Sequence, residues 1–292
     1  MTKWLGVKLT IHPLFSMVML GSVLTGAFAE ILTLFIIVLV HELGHVAAIK
    51  WFGWRLREIQ ILPFGGVAVV DEVVPPAWQE AVVAAAGPFQ NLWMAVVALL
   101  FHSLGLWGEE WTSYFIQANL MIALFNLLPI QPLDGGKLLH VFLCLWLPYH
   151  KALFSTTLAS LTMSVMLLGF SILTLTAFGL QLNLLVIACF LIYSNAYTLK
   201  HFHFRFVSFL IDRDARTSSR MSKGVHAKAI FVSPQLPLSE VVKLFMRDRY
   251  HLIYVMNEQG KIQAILPEQK VVRAFFTSVN SAFNGPRITI FS

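Results

Sequence analysis

Residues 41–45 read His-Glu-Leu-Gly-His, and they stand inside a long apolar run, Ile31 to Val40 before them and Val46 to Ile49 after. On an α-helix, residues i and i+4 lie about 40° apart around the axis, so His41 and His45 can face one metal ion together. Glu42 stands beside them, placed to take a proton from a water that the metal activates. Two imidazoles and a carboxylate at membrane depth carry a heavy desolvation cost, so they point to a functional site. The chemistry that fits is metal-dependent hydrolysis within the bilayer.

A catalytic zinc centre keeps three protein ligands and one open position. The third ligand is therefore expected in another span at similar depth. The stretch Phe125-Asn-Leu-Leu-Pro-Ile-Gln-Pro-Leu-Asp-Gly-Gly136 supplies a candidate. Pro129, Pro132 and the two glycines must break a helix there. Broken backbone at membrane depth is tolerated only where it is buried in protein or lines a wet cavity. Asp134 sits in that break. An isolated His-Glu-x-x-His occurs by chance in many helices, so its pairing with this second segment matters. His12, His102, His140 and His150 lie at span ends or alone in apolar stretches, and read as interfacial or packed imidazoles.

The elements that must position these residues follow from composition. The 292 residues are 57% hydrophobic and 12% charged, with a mean hydropathy of +0.72, which excludes an ordinary soluble domain. Six apolar spans are expected, at about 9–27, 31–50, 81–102, 112–128 continuing brokenly through 137–147, 152–177 and 180–199. Residues 200–292 differ sharply: they hold 14 Lys/Arg against 6 Asp/Glu. Lys3, Lys8, Lys50, Arg55, Arg57, Lys151 and this basic tail fall on one face. The loops of the other face carry no Lys or Arg, so both termini are expected in the cytoplasm. An alternative for residues 1–29 is a signal peptide, with Ala27-Phe28-Ala29 as its cleavage site. Cys144 and Cys189, both in apolar spans, make no disulfide framework or CxxC motif.

Between spans two and three, residues 58–72 read as a β-hairpin around Gly65-Gly66. It either covers helix ends or offers an edge strand that holds a substrate extended by backbone pairing, with Phe64, Gly65 and Gly66 at the contact. Span three contains Ala84-Ala-Ala-Gly-Pro-Phe-Gln-Asn91, suited to close helix packing, with Gln90 or Asn91 available to support the site. Residues 200–223 form a basic, aromatic linker of the kind that lies on an anionic membrane surface. The tail from 224 reads as a soluble module: a strand at 229–233, a helix at 238–247, a hairpin of 251–256 and 261–266 about Asn257–Gly260, and a second helix at 267–276. No groove-reading motif appears, so nucleic acid is not an expected partner.

The pair of His41-Glu-Leu-Gly-His45 and Asn126-Leu-Leu-Pro-Ile-Gln-Pro-Leu-Asp134-Gly resembles the site-2 protease family of intramembrane zinc metalloproteases. Pro63-Phe-Gly-Gly66 and Gly87-Pro88 resemble further segments of that family, and the tail resembles one cystathionine-β-synthase-type (CBS) module. Six spans, no PDZ insertion and a single C-terminal CBS module look most like the family's sporulation branch. Those are the stage IV proteases of endospore formers, which remove the pro-sequence of pro-sigma-K in the mother cell. The fold so implied is a polytopic α-helical membrane protein, a six-helix core over 1–199 with a small α/β cytoplasmic domain over 224–292. The resemblance implies that His41, His45 and Asp134 ligate one zinc ion, that Glu42 is the general base, and that Asn126 holds or polarises the substrate. It implies a location in the membrane around the forespore and restraint by inhibitory or scaffolding membrane proteins. The single CBS module departs from the usual tandem pair. It is expected to pair between subunits as a homo-oligomer, to bind the substrate, or to bind an adenine nucleotide.

Rival readings are a metal transporter or sensor using the same three ligands, which has little use for Glu42, and an inactive scaffold for sigma-factor precursors, which needs neither Glu42 nor the ligands. A site-2 protease acting on another regulatory membrane protein is a third.

Overall fold

A computed structural model describes residues 2–4, 7–11, 26, 28–54, 56–62, 65–70, 75–178, 182–221 and 226–282. The chain divides into two compact units, one of Met1–Val141 with Met163–Leu191, the other of Phe142–Thr162 with Ile192–Ser292.

In the first unit, α1 (Phe28–Trp51) is 24 residues long, which at 1.5 Å per residue is about 36 Å and enough for the hydrocarbon core. It packs against α2 (Ala77–Ser103), which in turn packs against α3 (Glu109–Asn126). Beyond Ala77 at its start, the buried residues of α2 are Ala84, Gly87, Pro88, Asn91, Ala95 and Ala98, a stripe along one face. Small side chains on that stripe let the helix backbones approach closely. A Cβ on Gly44 of α1 would stand 2.7 Å from the Ala86 carbonyl oxygen. Pro76 is the N-cap of α2, with extended backbone at φ −54° and ψ 142°. The expected break in the fourth span is present: α3 ends at Asn126 and α4 (Asp134–Trp146) begins at Asp134, with a cis Gln131–Pro132 peptide between them.

The hairpin is also present, with a shifted turn. β3 (Leu56–Leu62) and β4 (Gly65–Val70) are antiparallel, and Gly65 and Gly66 lie inside β4, opposite Leu62 and Ile61, rather than at the turn. Phe64 lies outside the described residues. The hairpin is half of a four-stranded sheet in the order β1-β2-β3-β4, where β1 is Thr2–Trp4 and β2 is Val7–Ile11. β2 pairs with β3 in parallel, Leu9 opposite Ile59. This corrects the expected first span at 9–27, whose first three residues are strand. Residues 12–25 lie outside the described residues. Val7–Ile11 is apolar enough to read as a helix start, but its main chain pairs with a segment some fifty residues away.

Among the described residues, three helices are long and apolar enough to cross a membrane: α1, α2 and the Tyr149–Thr174 part of α5 (Tyr149–Phe178). A fourth candidate is the bent pair of α6 (Leu182–Lys200) and α7 (Phe202–Met221), joined at 60°. Two aromatic clusters mark opposite ends of α2. One stacks Phe52 between Trp51 and Trp54 and sets Trp78 edge-on to Phe52, and Trp54 Nε1 donates to Gln79 Oε1 at 3.0 Å. The other joins Phe101, Trp107 and Phe115. Aromatic belts of this kind sit at the two bilayer interfaces. The protein is a membrane protein.

In the second unit, the segment expected as a linker is helix α7. Phe202, Phe206, Phe209, Leu210 and Arg213, one face at helical spacing, are buried. They share a core with Tyr149, Ala152 and Leu153 of α5 and with a three-stranded sheet. That sheet runs β5 (Ala227–Val232), β6 (Tyr250–Met256), β7 (Ile262–Pro267), with β5 and β6 parallel. A short α8 (Leu238–Lys243) connects β5 to β6, and α9 (Glu268–Ala282) follows β7. The expected helix 238–247 stops at Lys243 because the Met246, Arg247 and Arg249 carbonyls turn to accept hydrogen bonds from Arg213. The turn 257–260 is as expected: Asn257 Oδ1 accepts from the Gln259 and Lys261 amides, and Gly260 takes φ +76°.

Candidate metal centre

Helix α1 carries His41 and His45 one turn apart on its buried side, and α4 brings Asp134 to them from the far side of the broken span. All three are buried, at 2%, 6% and 4% exposure. His41 Nε2 and His45 Nε2 lie 3.3 Å apart, and Asp134 Oδ2 stands 3.3 Å from the first and 3.0 Å from the second. Ligand atoms of a tetrahedral zinc ion with bonds of about 2.0–2.1 Å are themselves separated by about 3.3 Å. Among the described residues this is the one group of three such side chains close enough to share an ion.

The protonation of the two rings is set from behind. His41 Nδ1 is 2.6 Å from Asn91 Oδ1, and His45 Nδ1 is 2.7 Å from the Val83 carbonyl oxygen. The Asn91 amide is oriented because its Nδ2 donates to the Asn119 carbonyl at 3.2 Å. Each Nδ1 therefore donates a proton to an oxygen, and each neutral ring turns the lone pair of Nε2 to the centre. With both rings neutral, two imidazole lone pairs and a carboxylate oxygen converge on one point. A divalent cation resolves that repulsion, and outer partners of this type are what orient metal-bound histidines. The donor set, two imidazoles and one carboxylate, suits zinc.

Glycines make the space. A Cβ on Gly87 of α2 would run into Nε2 of His45 and lie 2.6 Å from Nε2 of His41. On α4, a Cβ at Gly135 would collide with the Leu127–Leu128 backbone, and one at Gly136 would come within 2.5 Å of the Ile130–Gln131 backbone. These two glycines let the first turn of α4 sit against the break, which is what delivers Asp134. Its position at the N-terminus of α4 also favours a negative charge. The Asp134 carboxylate divides its oxygens: Oδ2 faces the histidines and Oδ1 pairs with Lys137 Nζ at 2.9 Å.

Glu42 is half-buried on the same turn of α1 as the histidines. Asn126 is half-buried at the end of α3, and its Nδ2 donates to the Ile122 carbonyl at 2.9 Å. Gly65 and Gly66 belong to β4, an edge strand of its sheet. His140 is buried within α4, His102 bonds the Trp107 carbonyl, and neither joins the metal group. Sequence reasoning missed Lys137, although an acid and a base three apart at a helix start is a legible signal. It also missed the Val83 carbonyl, for which a sequence carries none.

The chain is similar to known metalloproteases. Residues 29–113 match the profile of Peptidase family M50. The chain is 33% identical over 279 residues to the stage IV sporulation protein FB of Bacillus subtilis, covering 94% of each chain. It is 27% identical to a zinc metalloprotease of Methanocaldococcus jannaschii, over 89% of this chain and 75% of that one. The solved site-2 protease from M. jannaschii superposes with a TM-score of 0.53 and 25% identity, over 68% of this chain and 94% of that chain.

Proposed function

The chain belongs to the site-2 protease family (peptidase family M50) of zinc metalloproteases, and we propose that it removes the pro-sequence of pro-sigma-K during sporulation. The observation that carries the catalytic part is the convergence of three buried ligand atoms from α1 and α4 with Glu42 beside them. The sporulation part is supported by the 94% coverage shared with the Bacillus subtilis relative.

His41, His45 and Asp134 hold the zinc ion, which when bound supplies a Lewis acid for the scissile carbonyl and for a water. Glu42 accepts a proton from that water and returns it to the leaving amine. Asn126 donates from its amide to the oxygen that becomes negative. The outer edge of β4, which pairs with no other strand among the described residues, receives an extended substrate in this reading, with Phe64, Gly65 and Gly66 at the contact. A helical substrate hides its carbonyls, whereas one paired to an edge strand exposes alternate ones. Transport or sensing alone leaves Glu42 without a task, and the M. jannaschii relatives are named as proteases.

Both termini are cytoplasmic in this reading, with Lys50 and the Trp51 cluster at the cytoplasmic interface in the mother-cell membrane around the forespore. His45 lies six residues before Trp51, about 9 Å along the helix, so water reaches the centre without crossing the bilayer core. The β-α-β-β-α order of the tail supports a single CBS module. That module binds an adenine nucleotide or a second copy of itself, and companion membrane proteins hold the enzyme inactive.

The test is cleavage of co-expressed pro-sigma-K by the wild type and by Glu42→Gln, with zinc measured on both purified proteins. The expected result is cleavage reduced about 10²–10⁴-fold with zinc retained. Undiminished cleavage by Glu42→Gln would remove Glu42 from the mechanism. A wild type that binds zinc and leaves pro-sigma-K intact would overturn the substrate.

A further inference from the structure

Lys137 extends the metal centre by one residue. Its Nζ lies 2.9 Å from Asp134 Oδ1, while Oδ2 of the same carboxylate faces the two histidines. The pair is built into the first turn of α4 by its i, i+3 spacing. The lysine side chain is 45% exposed and that of Asp134 only 5%. The lysine end of the pair is exposed to water, which weakens the contact as a brace for the fold. What it does is occupy one oxygen of a ligand carboxylate. A carboxylate can bind a divalent cation through one oxygen or through two. With Oδ1 engaged by an ammonium, only Oδ2 is available, and the three ligands leave the fourth position of the ion open for the reaction. The same positive charge withdraws electron density from the carboxylate, so less of the ion's own charge is cancelled.

We propose that Lys137 is a positioning residue that keeps Asp134 on the metal through one oxygen. This rests on the zinc protease reading of His41, His45 and Asp134. Without the ammonium, the carboxylate turns both oxygens to the ion. The ion is then held as firmly or more firmly, but it is a weaker Lewis acid with its open position obstructed.

The experiment uses the full chain purified in detergent, as wild type, Lys137→Met, Lys137→Arg and Asp134→Ala. Three quantities are measured: zinc affinity by chelator competition, visible absorption of the cobalt-loaded protein, and kcat and KM at saturating zinc. Lys137→Met is expected to hold zinc as tightly as the wild type or up to about tenfold more tightly. Its kcat is expected to fall about tenfold at unchanged KM, with an altered intensity of the cobalt bands. Lys137→Arg, which keeps a charged donor, is expected to restore both. The proposal is overturned if Lys137→Met leaves kcat and the cobalt spectrum untouched. It is equally overturned if KM rises at constant kcat, since the lysine then touches substrate, or if zinc binding and melting temperature fall together, since the contact is then a brace. Retention of zinc by Asp134→Ala would sink the metal centre itself, separately from the role of Lys137.

Discussion

Each of the two units buries histidine beside a carboxylate, yet the clusters are satisfied in opposite ways. In the second unit, Arg213 Nε and Nη2 grip Glu268 at 3.0 and 2.8 Å. Arg213 also donates to the carbonyls of Met246, Arg247 and Arg249, and stands over the rings of Phe209 and Phe245. His251, fully buried and stacked on Phe245, receives the Met246 amide on Nε2 and contacts Glu268 through Nδ1. Arg213 Nη2 also stands 3.0 Å from His251 Nδ1, and the cluster closes on itself around the Arg213–Glu268 ion pair. In the first unit, His41, His45 and Asp134 present acceptors to one another, and their own donors face outward to Asn91 and Val83. A buried polar cluster that closes is architecture, and one that converges on lone pairs is a site for a cation.

That contrast can be broken at four points. The largest effect is expected for Arg213→Met. It leaves Glu268 buried without its partner, which typically costs about 3–5 kcal/mol. The second unit should then lose protection in hydrogen exchange while zinc content stays unchanged. Loss of zinc instead would show that the two clusters are not independent.

Gly87→Ala acts on the other cluster, because its methyl group meets both imidazole nitrogens. Displacing a catalytic group by about 1 Å costs about 100-fold in rate, so cleavage should fall at least that far with zinc reduced and the second unit's exchange unaltered. Asn91→Ala removes the acceptor that sets the His41 tautomer. Outer-shell losses of this kind weaken metal binding by about 10–100-fold, readable by chelator competition. An unchanged zinc affinity would mean that His41 is oriented by packing alone.

The smallest effect is the pH response of the self-closed cluster. Burial holds His251 below its ordinary value, with Arg213 adding to this and Glu268 opposing it. Burial alone would raise Glu268, but its hydrogen bonds with His251 and Arg213 outweigh that and keep it below the usual carboxylate range. For both groups the unfolded chain takes up a proton first as pH falls. The stability they contribute is therefore present at neutral pH. It declines below about 6.5 for His251 and below about 4.5 for Glu268. Hydrogen exchange of β6 and α9 at pH 7.5, 6 and 5 should show protection falling in that order, and protection constant across the range would refute the assignment.

How much of this was legible in advance divides along the same line. The metal centre was readable because its spacing is local: four residues within one helix bring His41 and His45 together whatever else the chain does. The Pro-broken Asp134 segment was readable because such a sequence at membrane depth needs a reason. Asn91 was legible as a polar residue in a packing stripe, though not as the partner of His41 in particular. The Arg213 cluster was invisible. Arg213 falls in a stretch whose charge suggests a surface linker, and its partner Glu268 is 55 residues away. The N-terminal strand was missed for the same reason, since the parallel partner of Val7–Ile11 follows a whole transmembrane helix.

The sequence by itself determined the candidates: two histidines and an aspartate of ligand type, a glutamate beside them, the apolar spans and the basic tail, because helix periodicity and hydropathy act over a few residues. Only the tertiary structure decided which oxygen of Asp134 faces the histidines, that Lys137 holds the other, that Asn91 and the Val83 carbonyl orient the rings, and that a buried arginine ties α7 to α9. Those choices depend on contacts between distant segments at distances of about 3 Å, which only the packing of the helices defines.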